Sequence, residues 1–219
     1  MPLRNITSQV NYLLPNSCRL VSGKLSDYQN ELSSIELQYI EGYGIPRKNE
    51  FRAGRSIAKE AANFLGIKLL SISKDDNGCP LWPAPIVGSI SHKAGFCGAL
   101  LGKSDTYSSI GLDIEFVEHL EENVWKTFTS PYELEQATVC NMEASLFANI
   151  LFSVKEAFFK CLYPLYYPTH PTLSDIIVTA KPTHTNYLET KVSFNNKEYA
   201  GGVIFDSKVL ISWVLAKKH

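Results

Sequence analysis

The sequence predicts an α+β protein made of two half-sized lobes. Three observations carry that expectation. A chain of 219 residues fits either a single body or two half-sized lobes. Strand-like runs, a helical run and strand-like runs again occur in each half. The halves are expected to meet near residues 102–112, with the strand-like run Ile110-Gly111-Leu112-Asp113-Ile114-Glu115 at the junction. The expected division is 1–106 and 107–219.

Residues 1–45 give the weakest signals. Within them, Ser33-Ser34-Ile35-Glu36 has the form of a capping box and opens a short helix expected to end near Gly42. The next helix is clearer, because Pro46 suits its first turn and Gly66 the position just past its end. Between them Phe51, Ala58, Ala61, Phe64 and Leu65 recur on one side at about 100° per residue. Lys48, Arg52 and Lys59 are expected to project outward, with Arg47 in line with the apolar stripe and Arg55 flanking it. Asp75-Asp76-Asn77-Gly78, with Pro80, Pro83 and Pro85 after it, reads as turn-rich. Trp82, between two prolines, reads as a packing anchor. Residues 87–92 and 96–101 read as strands joined by a turn at Lys93-Ala94-Gly95. After a less regular middle at 116–143, Ser145 is expected to cap a long helix that Pro164 stops. Residues 166–171 read as a proline-punctuated loop. Residues 176–179, 188–194, 199–205 and 209–215 read as strands of a meander.

Composition narrows the function classes. The net charge of −1 argues against a sequence-independent grip on nucleic acid or an anionic membrane, so neither partner is expected. The five cysteines, Cys18, Cys79, Cys97, Cys140 and Cys161, are odd in number and scattered, with no CxxC pair. That pattern fits reduced thiols better than a disulfide or zinc framework. Arg4, Asn5 and Gln9 interrupt any apolar run at the start, and no segment is long enough to cross a bilayer. A cytoplasmic location is the expectation.

The chemistry concentrates in two segments. On a strand, Asp113 and Glu115 point one way while Leu112 and Ile114 point the other. Two carboxylates on one face repel each other unless a cation lies between them, and hard oxygen ligands suit Mg²⁺ or Mn²⁺. The plain alternative is a strand with a polar outer face. The second segment, Phe152-Ser153-Val154-Lys155-Glu156-Ala157-Phe158-Phe159-Lys160, supplies a third acid, Glu156. In its helix Phe147, Ile150, Leu151, Val154, Phe158 and Cys161 form an apolar stripe. Phe152 and Phe159 on the far side leave a narrow polar strip of Asn149, Ser153, Glu156 and Lys160. A helix apolar on two sides is packed on two sides, which would set Glu156 in a cleft. The alternative is a simple Glu156–Lys160 pair, worth roughly 0.2–0.5 kcal/mol on an exposed helix. Lys155 lies among Leu151, Leu162 and Phe159, where a lysine costs desolvation unless an anion meets its head.

Arg47 and Arg55 make sense if a phosphate docks at the start of their helix, where free backbone N–H groups favour anions. A solvated basic face is the alternative, and it weighs more for Arg52 and Lys59. His92 follows the small residues of Gly88-Ser89-Ile90-Ser91 and precedes a glycine turn, so imidazole and backbone could approach a diphosphate. A structural histidine is the common alternative. Three acids for a metal and two lysines for an anion point to phosphoryl transfer.

With these residues assembled, the chain resembles the 4′-phosphopantetheinyl transferase superfamily, and within it the branch associated with enterobactin and other siderophore synthetases. The likeness runs in order through Arg47-Lys48-Asn49-Glu50-Phe51-Arg52-Ala53-Gly54-Arg55, Gly78-Cys79-Pro80-Leu81-Trp82-Pro83, Gly88-Ser89-Ile90-Ser91-His92, Gly111-Leu112-Asp113-Ile114-Glu115 and Lys155-Glu156-Ala157-Phe158-Phe159-Lys160. It covers roughly residues 43–165. The ordered combination is specific; no one motif is.

The resemblance implies two similar α/β lobes related by a pseudo-twofold, with the cofactor in the cleft between them. It implies that Asp113, Glu115 and Glu156 hold Mg²⁺ or Mn²⁺. It implies that Arg47 and Arg55 bind the 3′-phosphate of coenzyme A, with Lys74 nearby. Ser91, His92 and Lys155 would contact the cofactor, the last two at its diphosphate, and Lys160 would steady charge at the transferring group. Glu133, in Phe128-Thr129-Ser130-Pro131-Tyr132-Glu133, resembles a further family acid. The implied reaction moves phosphopantetheine from coenzyme A to a serine of an acyl or peptidyl carrier protein and releases 3′,5′-ADP. Glu156 would be the base, acting directly or through a metal-bound water, with Glu133 in reserve. The rivals are another Mg²⁺-dependent phosphohydrolase or nuclease, and a carrier-protein-binding module without chemistry. A monomer is expected, since two lobes already bury one another.

Overall fold

The computed structural model describes residues 2–166, 171–184 and 186–218. The chain divides into two compact units, Leu3–Ser108 and Ser109–Lys217.

The first unit opens with α1 (Pro2–Leu13) and β1 (Cys18–Lys24), neither anticipated. Ile6, Val10 and Leu14 are buried at helical spacing, a short stripe that sets the α1 face. Asn11 ties α1 to β1, its side chain exchanging hydrogen bonds with both N–H and C=O of Leu20. A 3-10 turn at Leu25–Asp27 follows, then α2 (Ser34–Gln38) and α3 (Ile45–Phe64). The Ser33–Glu36 capping box forms, although α2 ends before Gly42. Gly66, at φ +75, takes the left-handed position just past the α3 end that favours glycine. Next come the two-residue strands β2 (Ser73–Lys74) and β3 (Pro80–Leu81), then β4 (Ile86–Lys93) and β5 (Phe96–Lys103). Ala94 and Gly95, both at positive φ, close the β4–β5 hairpin.

The main sheet of this unit has the order β1-β5-β4, with both pairings antiparallel. Ala53, Ile57, Ala58, Ala61 and Ala62 of α3 share its core with Ile86, Cys97, Ala99 and Leu101. Small residues along α3 allow close approach, and a Cβ on Gly54 would come within 3.1 Å of Ile90 Cγ2. Trp82 packs against this core and against Gly88.

β6 (Tyr107–Phe116) leads into the second unit. It is followed by α4 (Glu122–Trp125), α5 (Pro131–Val139) and α6 (Ala144–Tyr166). A 3-10 turn at Leu173–Asp175 precedes β7 (Ile177–His184), β8 (Tyr187–Phe194), β9 (Lys197–Phe205) and β10 (Val209–Lys217). The sheet order is β6-β10-β9-β8-β7, a meander with β6 added beside its last strand. Phe147, Leu151, Val154, Phe158 and Cys161 of α6 share a core with Val178, Val192, Val203, Leu210 and Val214.

Two helix-end expectations need correcting. Ser145 lies inside the first turn of α6 rather than capping it, and Pro164 does not stop the helix, which continues to Tyr166. Proline so close to a C-terminus forfeits little of the hydrogen-bond ladder that follows it. Residues 167–170 of the expected loop lie outside the described residues. Among the described residues, no single helix is long and apolar enough to cross a membrane.

Candidate active site

Gly111 determines how α6 meets β6. A Cβ there would collide with the carbonyl of Ala157 and come within 2.9 Å of Cys161 N, so the helix lies directly on the strand backbone. Residues two apart share a strand face, so Asp113 and Glu115 turn toward the helix with Gly111. Asp113 is 3% exposed. Its Oδ1 accepts from Lys160 Nζ at 2.6 Å and its Oδ2 from Ser153 Oγ at 2.8 Å. Ser212 of β10 supports Ser153, donating to its carbonyl and lying 2.8 Å from its hydroxyl. The polar strip of α6 therefore lands on Asp113, with Lys160 reaching across to the strand.

Glu156 belongs to the same group. Burial pushes its carboxyl above the usual range, the Lys160 charge opposes that, and the negative charges of Asp113 and Glu115 add to it. The three acids thus lie within electrostatic reach of one another. Among the described residues, no three His, Cys, Asp or Glu side chains are gathered as a metal-ready cluster. In donor chemistry the acids suit a hard divalent ion: all are oxygen ligands, they repel one another, and the cation on Asp113 is an ammonium.

Lys155 requires a correction. It is fully buried, and its Nζ donates to the Phe128 carbonyl at 2.6 Å and lies 2.9 Å from Glu133 Oε1. Among the described residues, the anion that meets this lysine is Glu133. Glu133 is equally sealed. It caps α5 through Ser130 and accepts the Val178 N–H at 2.9 Å. A carboxylate committed to a cap, a strand and an ion pair is no reserve base.

In the first unit, the basic residues gather around the start of α3. Arg47 Nη1 donates to Glu50 at 3.1 Å and lies 3.1 Å from His92 Nε2. Lys74 Nζ donates to the Tyr43 hydroxyl at 2.8 Å. That bond holds the Tyr43 phenol below its usual range against the opposing effect of burial, and the charges of Lys74, Arg47 and Arg55 add to it. Arg55 is 4% exposed, stacks 4.2 Å over the Phe51 ring and donates Nε to the Ile72 carbonyl at 3.1 Å. Among the described residues its Nη2 is buried without a hydrogen-bond partner. Burial pushes this guanidinium down to about 10; Glu36 opposes the shift and Arg47 reinforces it.

Two other expectations change here. Ser91 is buried on the opposite face of β4 from His92, because neighbouring strand residues alternate, so it does not share the imidazole's surroundings. Lys59 does not project into solvent but donates to the buried carboxylate of Glu36 at 2.6 Å. Sequence reasoning missed Tyr43, Glu36 and Ser212 as parts of these clusters. The Glu36 capping box was visible, but its partners outside α2 were not.

Comparison with known proteins matches residues 36–102 to the 4′-phosphopantetheinyl transferase N-terminal domain and residues 109–209 to the 4′-phosphopantetheinyl transferase superfamily. The chain belongs to the 4′-phosphopantetheinyl transferase superfamily. Among curated superfamily relatives, 4′-phosphopantetheinyl transferase PptT of Mycobacterium tuberculosis is 37% identical over 119 residues, covering 54% of this chain and 52% of that protein. Npt of Nocardia iowensis is 31% identical over 146 residues, with coverages of 66% and 65%. Enterobactin synthase component D of Escherichia coli strain K12 is 34% identical over 119 residues, with coverages of 53% and 55%. The chain thus spans 52% to 65% of the length of these relatives. Their mixed names support the superfamily without singling out its enterobactin branch.

Proposed function

We propose that this chain transfers the 4′-phosphopantetheine arm of coenzyme A to a serine of an acyl or peptidyl carrier protein, with Mg²⁺ or Mn²⁺ as cofactor. The observation that carries the reading is the packing of α6 on β6 at Gly111, which sets Lys160 and Ser153 on Asp113 and leaves Glu156 within electrostatic influence of Asp113 and Glu115.

Asp113, Glu115 and Glu156 would hold the ion. When bound, it neutralises charge on the diphosphate and improves the leaving phosphate. Lys160, relieved of Asp113, would meet the transferring phosphate with a fixed positive charge. Arg55 would offer its unpartnered Nη2 to the 3′-phosphate, supported by Arg47 and Lys74. His92, beside Arg47, would face the diphosphate. Glu156 is assigned as the group that takes the proton from the carrier serine, directly or through water. The serine oxygen forms a bond to the phosphorus bearing the pantetheine arm, the diphosphate P–O bond breaks, and 3′,5′-ADP leaves. Ser91, Lys155 and Glu133 have no direct part in this assignment.

The test is to incubate the protein, coenzyme A and Mg²⁺ with a panel of apo carrier domains and follow carrier mass. Similarity to enterobactin synthase component D puts the peptidyl carriers of siderophore synthetases first in that panel. The expected result is a carrier heavier by the arm, with 3′,5′-ADP released in equal amount. Release without carrier modification would indicate a hydrolase. Carrier binding without either product would indicate a module without chemistry.

A further inference from the structure

Glu36 is fully buried, yet no step of the proposed reaction uses it. Its carboxylate is held on three sides. Oε2 accepts from Lys59 Nζ at 2.6 Å and from Ser33 N–H at 2.9 Å, and Oε1 accepts from Ile72 N–H at 3.0 Å. The last bond reaches well beyond the cap. Ile72 is the residue whose carbonyl receives Arg55 Nε at 3.1 Å. Two residues on, Lys74 of β2 carries the ammonium bonded to Tyr43.

Glu36 thus fixes the segment that orients one cation and presents another. With Nε held by Ile72 and the guanidinium stacked on Phe51, Arg55 has little freedom to turn. Its Nη2 is a buried donor without a partner among the described residues, as are the Nε atoms of Arg19 and Arg52. An orphaned buried donor costs free energy, and an anion would satisfy it. A buried carboxylate nearby also favours the charged guanidinium against desolvation.

We infer that Glu36 is a positioning residue for recognition of the cofactor's 3′-phosphate: it anchors Ile72, holds Arg55 with one donor aimed at the phosphate, and sets Lys74 beside it. The inference rests on the 3′-phosphate assignment above. It makes Glu36 a determinant of the preference for coenzyme A over its dephospho form, without contact with either.

The test compares 3′,5′-ADP with 5′-ADP, two nucleotides that differ by that one phosphate, in calorimetric titrations of the whole chain. Wild type is expected to prefer 3′,5′-ADP. Arg55→Met should abolish the preference, and Glu36→Gln should reduce it by about tenfold or more while leaving 5′-ADP binding unchanged. A general loosening of the fold would weaken both nucleotides together, so the ratio separates positioning from mere stability. Should Glu36→Gln not fold, the apolar pair Glu36→Leu with Lys59→Met replaces the buried ions at similar volume and carries the same expectation. Loss of preference in Arg55→Met with full preference in the Glu36 variant would overturn the positioning role alone. Equal binding of both nucleotides by wild type would overturn the 3′-phosphate assignment and this inference with it.

Discussion

Asp113 has both carboxylate oxygens engaged, one by the ammonium of Lys160 and one by the hydroxyl of Ser153. Asp113→Asn keeps the shape of the side chain and removes the charge a metal requires. Turnover should fall on the order of 100-fold or more, the equivalent of several kcal/mol of lost charge stabilisation, with the thermal transition still cooperative. Near-normal turnover at saturating Mg²⁺ would contradict the assignment. Glu36 makes a prediction of its own. Burial alone would raise its carboxyl, but hydrogen bonds from Lys59, Ser33 and Ile72, with the Lys59 charge, hold it below the ordinary 4.5. A carboxylate depressed by folding contributes stability that is full above its unfolded value and is lost as pH falls through the lower folded value. Urea melts should therefore show the stability gap between wild type and Glu36→Gln narrowing as pH drops below about 4.5. A gap independent of pH would mean that the charge contributes nothing. At this scale the two strand acids were legible because a period of two is local. The protein partner of Lys155 was not legible because a helical wheel shows a residue's neighbours on its own helix alone. That partner, Glu133, comes from a different one.

Among the elements, α6 and β6 are joined at Gly111, where the opposing atoms are backbone and cannot swing aside. Gly111→Ala should destabilise the fold by about 1–3 kcal/mol or more, read from denaturant midpoints at constant slope. It should also lower transfer, because it shifts Glu156 and Lys160 against Asp113. The Glu133–Lys155 pair links α5 to α6 in the same unit. Glu133→Ala strands a buried ammonium and should cost about 3–5 kcal/mol, whereas Glu133→Leu with Lys155→Met removes the stranded charge and should cost less, the remaining loss being the acceptor of the Val178 N–H and the Ser130 cap. If Lys155 is structural, that double variant retains transfer; its loss in a fully folded double variant would return Lys155 to the phosphates. Helices α3 and α6 were legible from apolar periodicity, and the α2 start from its capping box. The α5 start had the same signature at Ser130–Glu133, but it was read as a motif rather than as a cap. Helix α1 and strand β1 escaped because three apolar residues at helical spacing and a short mixed run give little signal without their partners.

Across the whole molecule, the pairing that mattered most to the site was the least legible. Strand β6 lies beside β10, roughly a hundred residues later in the chain, and long-range pairing leaves no local mark. That neighbour supplies Ser212, which supports Ser153 beneath Asp113. The family, by contrast, was legible from the order of its short motifs, and models of both its parts match the chain. The proposed chemistry needs a divalent ion held jointly by Asp113, Glu115 and Glu156 while coenzyme A is bound. Titration of metal-free protein with Mn²⁺ in the presence of coenzyme A, followed by electron paramagnetic resonance, tests that claim most directly. The account predicts one tightly held ion in wild type, and affinity reduced about tenfold or more in each of Asp113→Asn, Glu115→Gln and Glu156→Gln. Wild type and all three variants holding Mn²⁺ equally, or none of them holding it at all, would contradict the account.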